Sequence, residues 1–320
     1  MGDNISASIT TLLNRIIPNA AEIVPLAAGM FAQAWAFSAD GRDYVLRLNA
    51  FEEDFAKDEF AYANFASPAL PVPRMVARGR YDETRHYAVT ERRPGVTMSR
   101  ISDADLPPLL PDLFAKIDAI HALDASRHTG WGLTDAAFNG RFPSWEGYLR
   151  SFHNQKFDYD WPALFAGGLL EERLFRELEA EMIARLPACR SYRAIVHGDY
   201  GFDNVMCRDG RVTGVLDWAE GRLGDPLYDV AYLDYWSRLP LGDLWREQTR
   251  HDAADFEARM VCYLLHIGLA SMVIAAHLRD ERDYRRVRDR TVSALSPARR
   301  RSTDWPEEEG ESADSLPPSI

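Results

Sequence analysis

The sequence predicts an α+β fold in two lobes, a small β-rich N-terminal lobe and a larger, mainly helical C-terminal lobe. Before residue 91, short runs of alternating apolar and polar residues indicate strands and tight turns. After residue 95, apolar residues recur mostly at helical spacing over longer segments. The sequence Arg92-Arg93-Pro94-Gly95 separates the two patterns, and 320 residues, 46% of them hydrophobic, are enough for two such lobes.

The N-terminal lobe, residues 1–93, is predicted to contain two hairpins and two helices. Tyr44, Leu46 and Leu48 lie on one face of a strand and Arg47 lies on the other, because side chains alternate along a strand. The predicted elements are a helix at 8–17, strands at 31–37 and 42–49 around a turn at Asp40-Gly41, a helix at 53–65, and strands at 76–81 and 86–91.

The C-terminal lobe, residues 94–295, is predicted to be mostly helical. Its elements are amphipathic helices at 109–123 and 171–186, short strands at 194–197 and 212–217, and one or two core helices at 256–278. From residue 296 to 320, proline, serine, arginine and glutamate dominate, which predicts a disordered tail.

Charge and cysteine content exclude several classes of protein. A net charge of −12 argues against a general nucleic-acid-binding protein and suits either a cationic substrate or plain solubility. Three scattered cysteines without CxxC spacing indicate neither a disulfide framework nor a zinc site, so a cytoplasmic location is expected. No signal peptide is recognisable, and the apolar stretch 267–276 is too short to span a bilayer, so we expect no membrane association. A monomer is the favoured oligomeric state.

One segment, from His197 to Asp229, predicts the chemistry. Asn204 follows Asp199 by five residues, and Asp217 follows Asn204 by thirteen, after an apolar strand. Phosphoryl transfer requires a carboxylate beside the attacking hydroxyl and oxygen ligands that hold Mg²⁺ against the nucleotide phosphates. Asp199 fits the first role as catalytic base, and Asn204 and Asp217 fit the second. The alternative, that the acids only cap turns, does not explain the whole set at this spacing.

His197 is predicted to support the same loop. Its ring is expected to hydrogen-bond loop backbone and so hold Asp199 in place. A direct role in proton transfer is the alternative.

The segment resembles the aminoglycoside phosphotransferase family, which shares the protein-kinase fold. The resemblance rests on His197-Gly198-Asp199 with Asn204, on Val215-Leu216-Asp217-Trp218, and on Gly224-Asp225-Pro226 with Asp229. Patches at 41–49, 65–73 and 210–215 are similar to the members of the family that act on hygromycin B. The resemblance implies a magnesium-dependent kinase that uses ATP or GTP and confers antibiotic resistance.

The family fold implies roles for residues of the N-terminal lobe. Arg47 stands where most relatives place a lysine that holds the α- and β-phosphates, with Asp58 as its helix partner and Glu59 as the alternative. Gly29 would lie in the loop that covers the phosphates. Backbone groups from Glu91 to Arg93 would pair with the adenine edge. The alternative for Arg47 is a solvated strand residue.

The same resemblance implies that Asp229 anchors the catalytic loop in the C-terminal lobe. It also implies a cationic, hydroxyl-rich acceptor, for which acids near Asp199 are candidate ligands, although each also fits a solvated surface position. The candidates are Asp203, Glu220 and Asp234, with Asp158 and Asp160 in addition.

Two other functions stay open. One is a kinase of the same fold with another hydroxyl substrate, such as another antibiotic, a choline-like alcohol, homoserine or a sugar. The other is a pseudokinase that binds nucleotide without turnover, against which the complete set Asp199, Asn204 and Asp217 argues.

Overall fold

The computed structural model of the chain describes residues 2–26, 32–152, 156–189, 192–249 and 255–296, with side chains from residue 8. The predicted phosphate-loop residue Gly29 and the tail 297–320 lie outside these ranges. The described residues group into two compact units. Unit 1 comprises residues 2–116 and 202–219, and unit 2 comprises 117–201 and 220–296, with the gaps given above.

The helices and strands are mixed along the chain. The α-helices are α1 Gly2–Ile16, α2 Glu52–Phe65, α3 Leu110–His121, α4 Trp145–Leu149, α5 Trp161–Ala166, α6 Glu172–Arg185, α7 Leu227–Trp236, α8 Leu241–Thr249, α9 Phe256–Leu278 and α10 Glu281–Ser293. The strands are β1 Ala21–Pro25, β2 Gln33–Ala39, β3 Arg42–Asn49, β4 Met75–Arg80, β5 His86–Glu91, β6 Val96–Thr97, β7 Trp131–Thr134, β8 Gly140–Phe142, β9 Ala194–Val196, β10 Val205–Arg208, β11 Arg211–Val215 and β12 Arg222–Gly224.

The main sheet of unit 1 has five strands in the order β1-β2-β3-β5-β4, all antiparallel. The predicted turn between β2 and β3 is present, with Asp40 at φ +49° and Gly41 at φ +74°, as a two-residue hairpin loop requires. The predicted apolar face is also present, because Tyr44, Leu46 and Leu48 are buried in one cluster with residues of α1. The sequence did not reveal β1.

A second sheet of unit 1, in the order β11-β10-β6, positions part of the candidate site. β10 and β11 form an antiparallel hairpin that pairs Val205 with Val215. The residues just before β10 and just after β11 therefore meet at the open end of the hairpin. Asn204 and Asp217 occupy these two places.

Unit 2 is built around α9, which packs against α6, α7 and α10. A four-stranded sheet in the order β8-β7-β12-β9 lies in the same unit. β9 leads into the loop with His197 and Asp199, and β12 pairs with it antiparallel through Arg222 and Val196.

Helix α9 is longer than the apolar stretch that was recognised in the sequence. The apolar stretch 267–276 is part of a helix of 23 residues that by length and composition could cross a membrane, so the prediction that it is too short to span a bilayer is wrong for the helix as a whole. Of its most apolar window, 72% is buried inside the protein. That burial is typical of the core helix of a folded domain.

The two compact units are not continuous in sequence. Residues 202–219 belong to unit 1, although the residues just before and just after them in the chain belong to unit 2. The division at residue 93 therefore stays a prediction about lobes, and the units describe which residues pack together.

Candidate active site

The backbone of the Asp199 loop is fixed by a carboxylate from α7. Asp229 is fully buried and accepts hydrogen bonds from the backbone N–H of His197 at 2.9 Å and of Gly198 at 2.7 Å. His121 Nε2 lies 3.3 Å from the same carboxylate. These contacts are those of a loop anchor, the role that the sequence suggested for Asp229.

Ionised Asp229 is stabilised by its partners. Burial raises the pKa of this carboxyl, but the hydrogen bond and charge of His121, with the charge of His197 and the Gly198 N–H, outweigh burial and lower the pKa below its ordinary value. The buried group is therefore an anion that holds two N–H donors.

The His197 ring contacts the loop as expected. The imidazole is fully buried, and its Nδ1 accepts a hydrogen bond of 3.3 Å from the backbone N–H of Asp199. His197 thus supports the main chain of the residue that is predicted to act as base.

A buried arginine, not recognised from the sequence, packs directly under this loop. Gly198 has φ +80°, and a Cβ there would lie 1.7 Å from Nη1 of Arg222. The Arg222 guanidinium donates to the Tyr148 hydroxyl at 2.5 Å and to the backbone carbonyl of Glu220 at 2.5 Å. Only glycine fits at position 198, because of both its conformation and this close approach.

In unit 1, α2 is connected to the segment around Asp217. Arg47 and Asp58 form an ion pair, as predicted, and the other Asp58 oxygen accepts from the backbone N–H of Trp218 at 2.8 Å. Lys57, also buried and missed in the sequence, donates to the Ala219 carbonyl at 2.8 Å. The alternative partner Glu59 is engaged elsewhere, with Arg78 at 2.7 Å.

The part-buried Arg47 side chain is positively charged. Burial lowers the pKa of the guanidinium, but the carboxylates of Asp58 and Asp217 outweigh burial and raise the pKa above its ordinary value. The guanidinium thus stays charged, and its planar, forked donors match the geometry of a phosphate group.

Asn204 and Asp217 are brought together by the β10–β11 hairpin. The Asn204 carbonyl accepts a 2.8 Å hydrogen bond from the backbone N–H of Leu216, the neighbour of Asp217. Asp217 adopts φ +56°, a left-handed conformation that is uncommon for a residue with a side chain and is frequent at functional sites.

The donor set fits Mg²⁺. No group of three or more His, Cys, Asp or Glu side chains that could hold a metal occurs among the described residues. One amide and one carboxylate oxygen are few for a site built from protein alone. They suit Mg²⁺, which commonly uses one or two carboxylates together with substrate phosphates and water.

The predicted adenine-binding stretch lies at the end of β5. The backbone N–H of Glu91 donates to the Arg74 carbonyl at 3.0 Å, and that of Arg92 donates to the Asp43 carbonyl at 2.9 Å. Both donors are therefore used within the sheet. The Arg93 side chain donates to the Thr213 carbonyl at 2.5 Å, which ties it to β11.

The candidate acceptor-binding acids differ in their surroundings. Glu220 pairs with Arg222 at 3.1 Å and with Lys156 at 3.7 Å, both in unit 2. Asp234 accepts from the backbone N–H of Gly242 at 2.8 Å, next to the start of α8. Asp203 is exposed and has no side-chain partner among the described residues.

The two additional candidates also differ. Both are exposed, but Asp160 caps α5, accepting from the backbone N–H of Ala163 at 3.1 Å, whereas Asp158 has no side-chain partner among the described residues. Glu220, Asp234 and Asp160 thus have structural contacts of their own.

A further buried network surrounds Asp225 and was not predicted. Arg259 donates to both carboxylate oxygens, at 2.8 and 2.5 Å, and the Tyr263 hydroxyl donates to one of them at 2.5 Å. All three residues are buried. The sequence contains one indication of this network. Arg259 lies in the apolar helix α9, and a buried charge needs an oppositely charged partner.

Comparisons with known proteins agree with these features. A model of the phosphotransferase enzyme family matches residues 22–262. The hygromycin-B 4-O-kinase of Escherichia coli is 30% identical over 269 residues, which are 82% of this chain and 77% of that protein. Viomycin phosphotransferase of Streptomyces vinaceus is 38% identical over 91 residues, covering 27% and 28% of the two chains.

A solved structure extends the similarity over nearly the whole chain. It is a thermostable mutant of aminoglycoside phosphotransferase APH(4)-Ia in a ternary complex with AMP-PNP and hygromycin B. The TM-score is 0.80 at 27% identity, with 90% of this chain and 98% of that chain covered.

Proposed function

Since this chain belongs to the phosphotransferase enzyme family, we propose that it transfers the terminal phosphoryl group of ATP to a hydroxyl of an aminoglycoside, with hygromycin B as the first candidate. The observation that carries the proposal is the loop of His197, Gly198 and Asp199, held by buried Asp229. The activity would confer resistance to the antibiotic.

Asp199 is assigned the role of base. The acceptor oxygen attacks the γ-phosphorus, the bond from that phosphorus to the bridging oxygen breaks, and ADP leaves. The proton of the acceptor hydroxyl passes to the Asp199 carboxylate. Because little covalent chemistry is required of the protein, placement of this carboxylate accounts for most of its contribution.

Residues of unit 1 are assigned to the nucleotide. Arg47 binds the α- and β-phosphates, and its ion pair with Asp58 orients the guanidinium. Asn204 and Asp217 hold Mg²⁺, which supplies positive charge to the phosphates when it is bound. Gly29 keeps its assignment to the phosphate loop on sequence grounds alone.

Adenine recognition is assigned to backbone groups after β5. The N–H groups of Glu91 and Arg92 already donate within the sheet. The Arg93 N–H, for which no acceptor occurs among the described residues, is therefore the donor that we assign to the adenine ring.

Asp203 is the acid that we assign to a cationic acceptor. Its carboxylate is exposed, whereas those of Glu220 and Asp234 have partners. Asp203→Asn should therefore raise the KM for the acceptor with a smaller effect on kcat. Asp103→Asn, which neutralises an exposed acid that is not among the candidate ligands, is the matched control and should change neither constant.

Another antibiotic acceptor is the second candidate. The local similarity to viomycin phosphotransferase favours it, since the same fold serves chemically different antibiotics. We further propose a monomer in the cytoplasm, where the three free, buried cysteines would stay reduced.

An ADP-release assay with Mg²⁺-ATP tests the function. Hygromycin B, kanamycin, viomycin, choline and homoserine are offered in turn, and wild type is compared with Asp199→Ala. We expect turnover of hygromycin B by wild type and a kcat lower by several orders of magnitude in the variant, with ATP binding retained. Turnover of choline or homoserine alone would show that the acceptor is a small alcohol and not an aminoglycoside. Nucleotide binding without any turnover would favour a pseudokinase.

A further inference from the structure

The catalytic loop is held by the Asp229 carboxylate and by the His197 ring. Asp229 binds the N–H groups of His197 and Gly198, and the His197 ring binds the N–H of Asp199. All three bonds fix main chain. A carboxylate that must lie beside an attacking hydroxyl also needs its own side-chain conformation fixed.

Helix α7 presents a side chain at the right place. Tyr232 follows the loop anchor Asp229 by three residues, so both project from one face of the helix. A Cβ built on Gly201 would lie 3.4 Å from Cε1 of Tyr232, which places the ring in contact with the loop two residues after Asp199. The phenol therefore lies within reach of the Asp199 side chain, whose negative charge and hydrogen bonding are among the causes that raise the pKa of Tyr232.

The direction of a hydrogen bond between the two groups follows from the surroundings of the phenol. Burial, and then the negative charge of Asp199, raise the pKa of Tyr232 well above its ordinary value. The hydroxyl therefore keeps its proton at neutral pH. A protonated phenol beside a carboxylate donates to it.

We infer that Tyr232 is a positioning residue for the reaction: its hydroxyl donates to the Asp199 carboxylate and holds it in the conformation that receives the acceptor proton. This inference rests on the proposed function, in which Asp199 is the base. Tyr232 itself touches no reacting atom in the scheme. Its effect is exerted through Asp199.

The chain offers a matched control on the same helix. Tyr235 is buried, and its hydroxyl donates to the Val287 carbonyl at 3.1 Å and lies 3.1 Å from the Thr291 hydroxyl. Tyr235→Phe removes a buried phenol hydroxyl from α7 without touching Asp199. Its effect shows how the loss of a buried hydroxyl that does not contact Asp199 changes stability and activity.

The test compares Tyr232→Phe with Tyr235→Phe in the ADP-release assay. We expect Tyr232→Phe to lower kcat by about 10- to 100-fold, as a small misplacement of a catalytic group does, with the KM values for ATP and acceptor within twofold of wild type. Tyr235→Phe should lower Tm and leave kcat unchanged. A kcat for Tyr232→Phe within twofold of wild type would overturn the inference.

A double-mutant cycle tests whether Tyr232 acts through Asp199. In the Asp199→Ala background, adding Tyr232→Phe should change the residual rate by less than about twofold, because the hydrogen-bond acceptor is already gone. If Tyr232→Phe lowers the rate by the same factor in wild type and in Asp199→Ala, Tyr232 acts independently of Asp199 and the inference is wrong.

A spectroscopic measurement separates this inference from the proposed function. Protein labelled with 3-fluorotyrosine gives a ¹⁹F resonance for Tyr232, assigned by its disappearance in Tyr232→Phe. Asp199→Ala should shift that resonance and leave the one from Tyr235 unmoved, with no acceptor present. An unmoved Tyr232 resonance refutes the contact. A failure of every acceptor with a shifted resonance refutes the proposed function and supports the contact.

Discussion

Replacing Asp229 by asparagine tests how the catalytic loop is held. The substitution keeps the volume of the side chain and removes its charge. The wild-type carboxylate is fully buried and accepts from the N–H groups of His197 and Gly198, with His121 at 3.3 Å. The amide oxygen of asparagine can accept from one of the two N–H groups, and its NH₂ group then faces the other donor.

The expected loss follows from these contacts. A hydrogen bond to a charged acceptor contributes about 1.5–3 kcal/mol, and one such bond is lost. The hydrogen bond between His121 and the carboxylate is weakened as well, which adds roughly 0.5–1 kcal/mol. We therefore expect Asp229→Asn to lower the free energy of unfolding by about 2–4 kcal/mol, or to lower Tm on the order of 3–6 °C.

The pH dependence gives a second signature. Because the folded-state pKa of Asp229 is lowered, its stabilising contribution is complete above the unfolded-state pKa of about 3.9. It is lost as the pH falls through the lower folded-state pKa. The difference in stability between wild type and Asp229→Asn should thus be constant from pH 5 to 7 and shrink in strong acid.

Calorimetry measures this difference, with Asp203→Asn as the control because that carboxylate is exposed. The control should unfold within about 0.5 kcal/mol of wild type. The reasoning is refuted if Asp229→Asn unfolds as the control does, or if its deficit grows as the pH falls.

Three further outcomes are expected. Arg259→Leu leaves the Asp225 carboxylate buried without its cation, so the free energy of unfolding in urea should fall by about 3–5 kcal/mol. A decrease under about 1 kcal/mol would show that the ion pair does not stabilise the fold in this way. Arg47→Lys removes the forked donor and should raise the KM for ATP about tenfold with kcat little changed, whereas an unchanged KM would remove Arg47 from the nucleotide site. A hydrogen bond with Cys189, and burial, raise the pKa of the Cys262 thiol, so the native protein should react with Ellman's reagent far more slowly than urea-unfolded protein, and equal rates would contradict that burial.

The sequence predicted much of the fold because its local signals agree with the structure. The Asp40-Gly41 turn, the alternation of Tyr44, Leu46 and Leu48, and the apolar run of α9 are each determined by neighbouring residues. Strand β1 was missed because Ala21–Pro25 is short, includes a proline and has no buried face.

The candidate site was predictable where a motif carries the chemistry. The pair Arg47 and Asp58 and the contact of His197 with the loop are present as expected, whereas the catalytic and metal-binding roles of Asp199, Asn204 and Asp217 stay predictions.

Other residues acquire their significance only through tertiary contacts. Arg222 looks in sequence like a solvated strand residue and Tyr232 like a core aromatic. Their partners Tyr148 and Asp199 lie 74 and 33 positions away in the chain, so no local pattern indicates the pairing. Of the two partners of Glu220, Lys156 lies 64 positions away in the chain, so that contact could not be predicted for the same reason.

Analysis of the reaction product shows whether the protein phosphorylates hygromycin B and whether Asp199 is required. Purified protein is incubated with Mg²⁺-ATP and hygromycin B, and the antibiotic is analysed by mass spectrometry and ³¹P NMR beside an Asp199→Ala sample. We expect hygromycin B carrying one phosphoryl ester, with one ADP formed per ester, and no ester in the variant. Unmodified hygromycin B in the wild-type sample, or equal phosphorylation in both, would contradict this expectation.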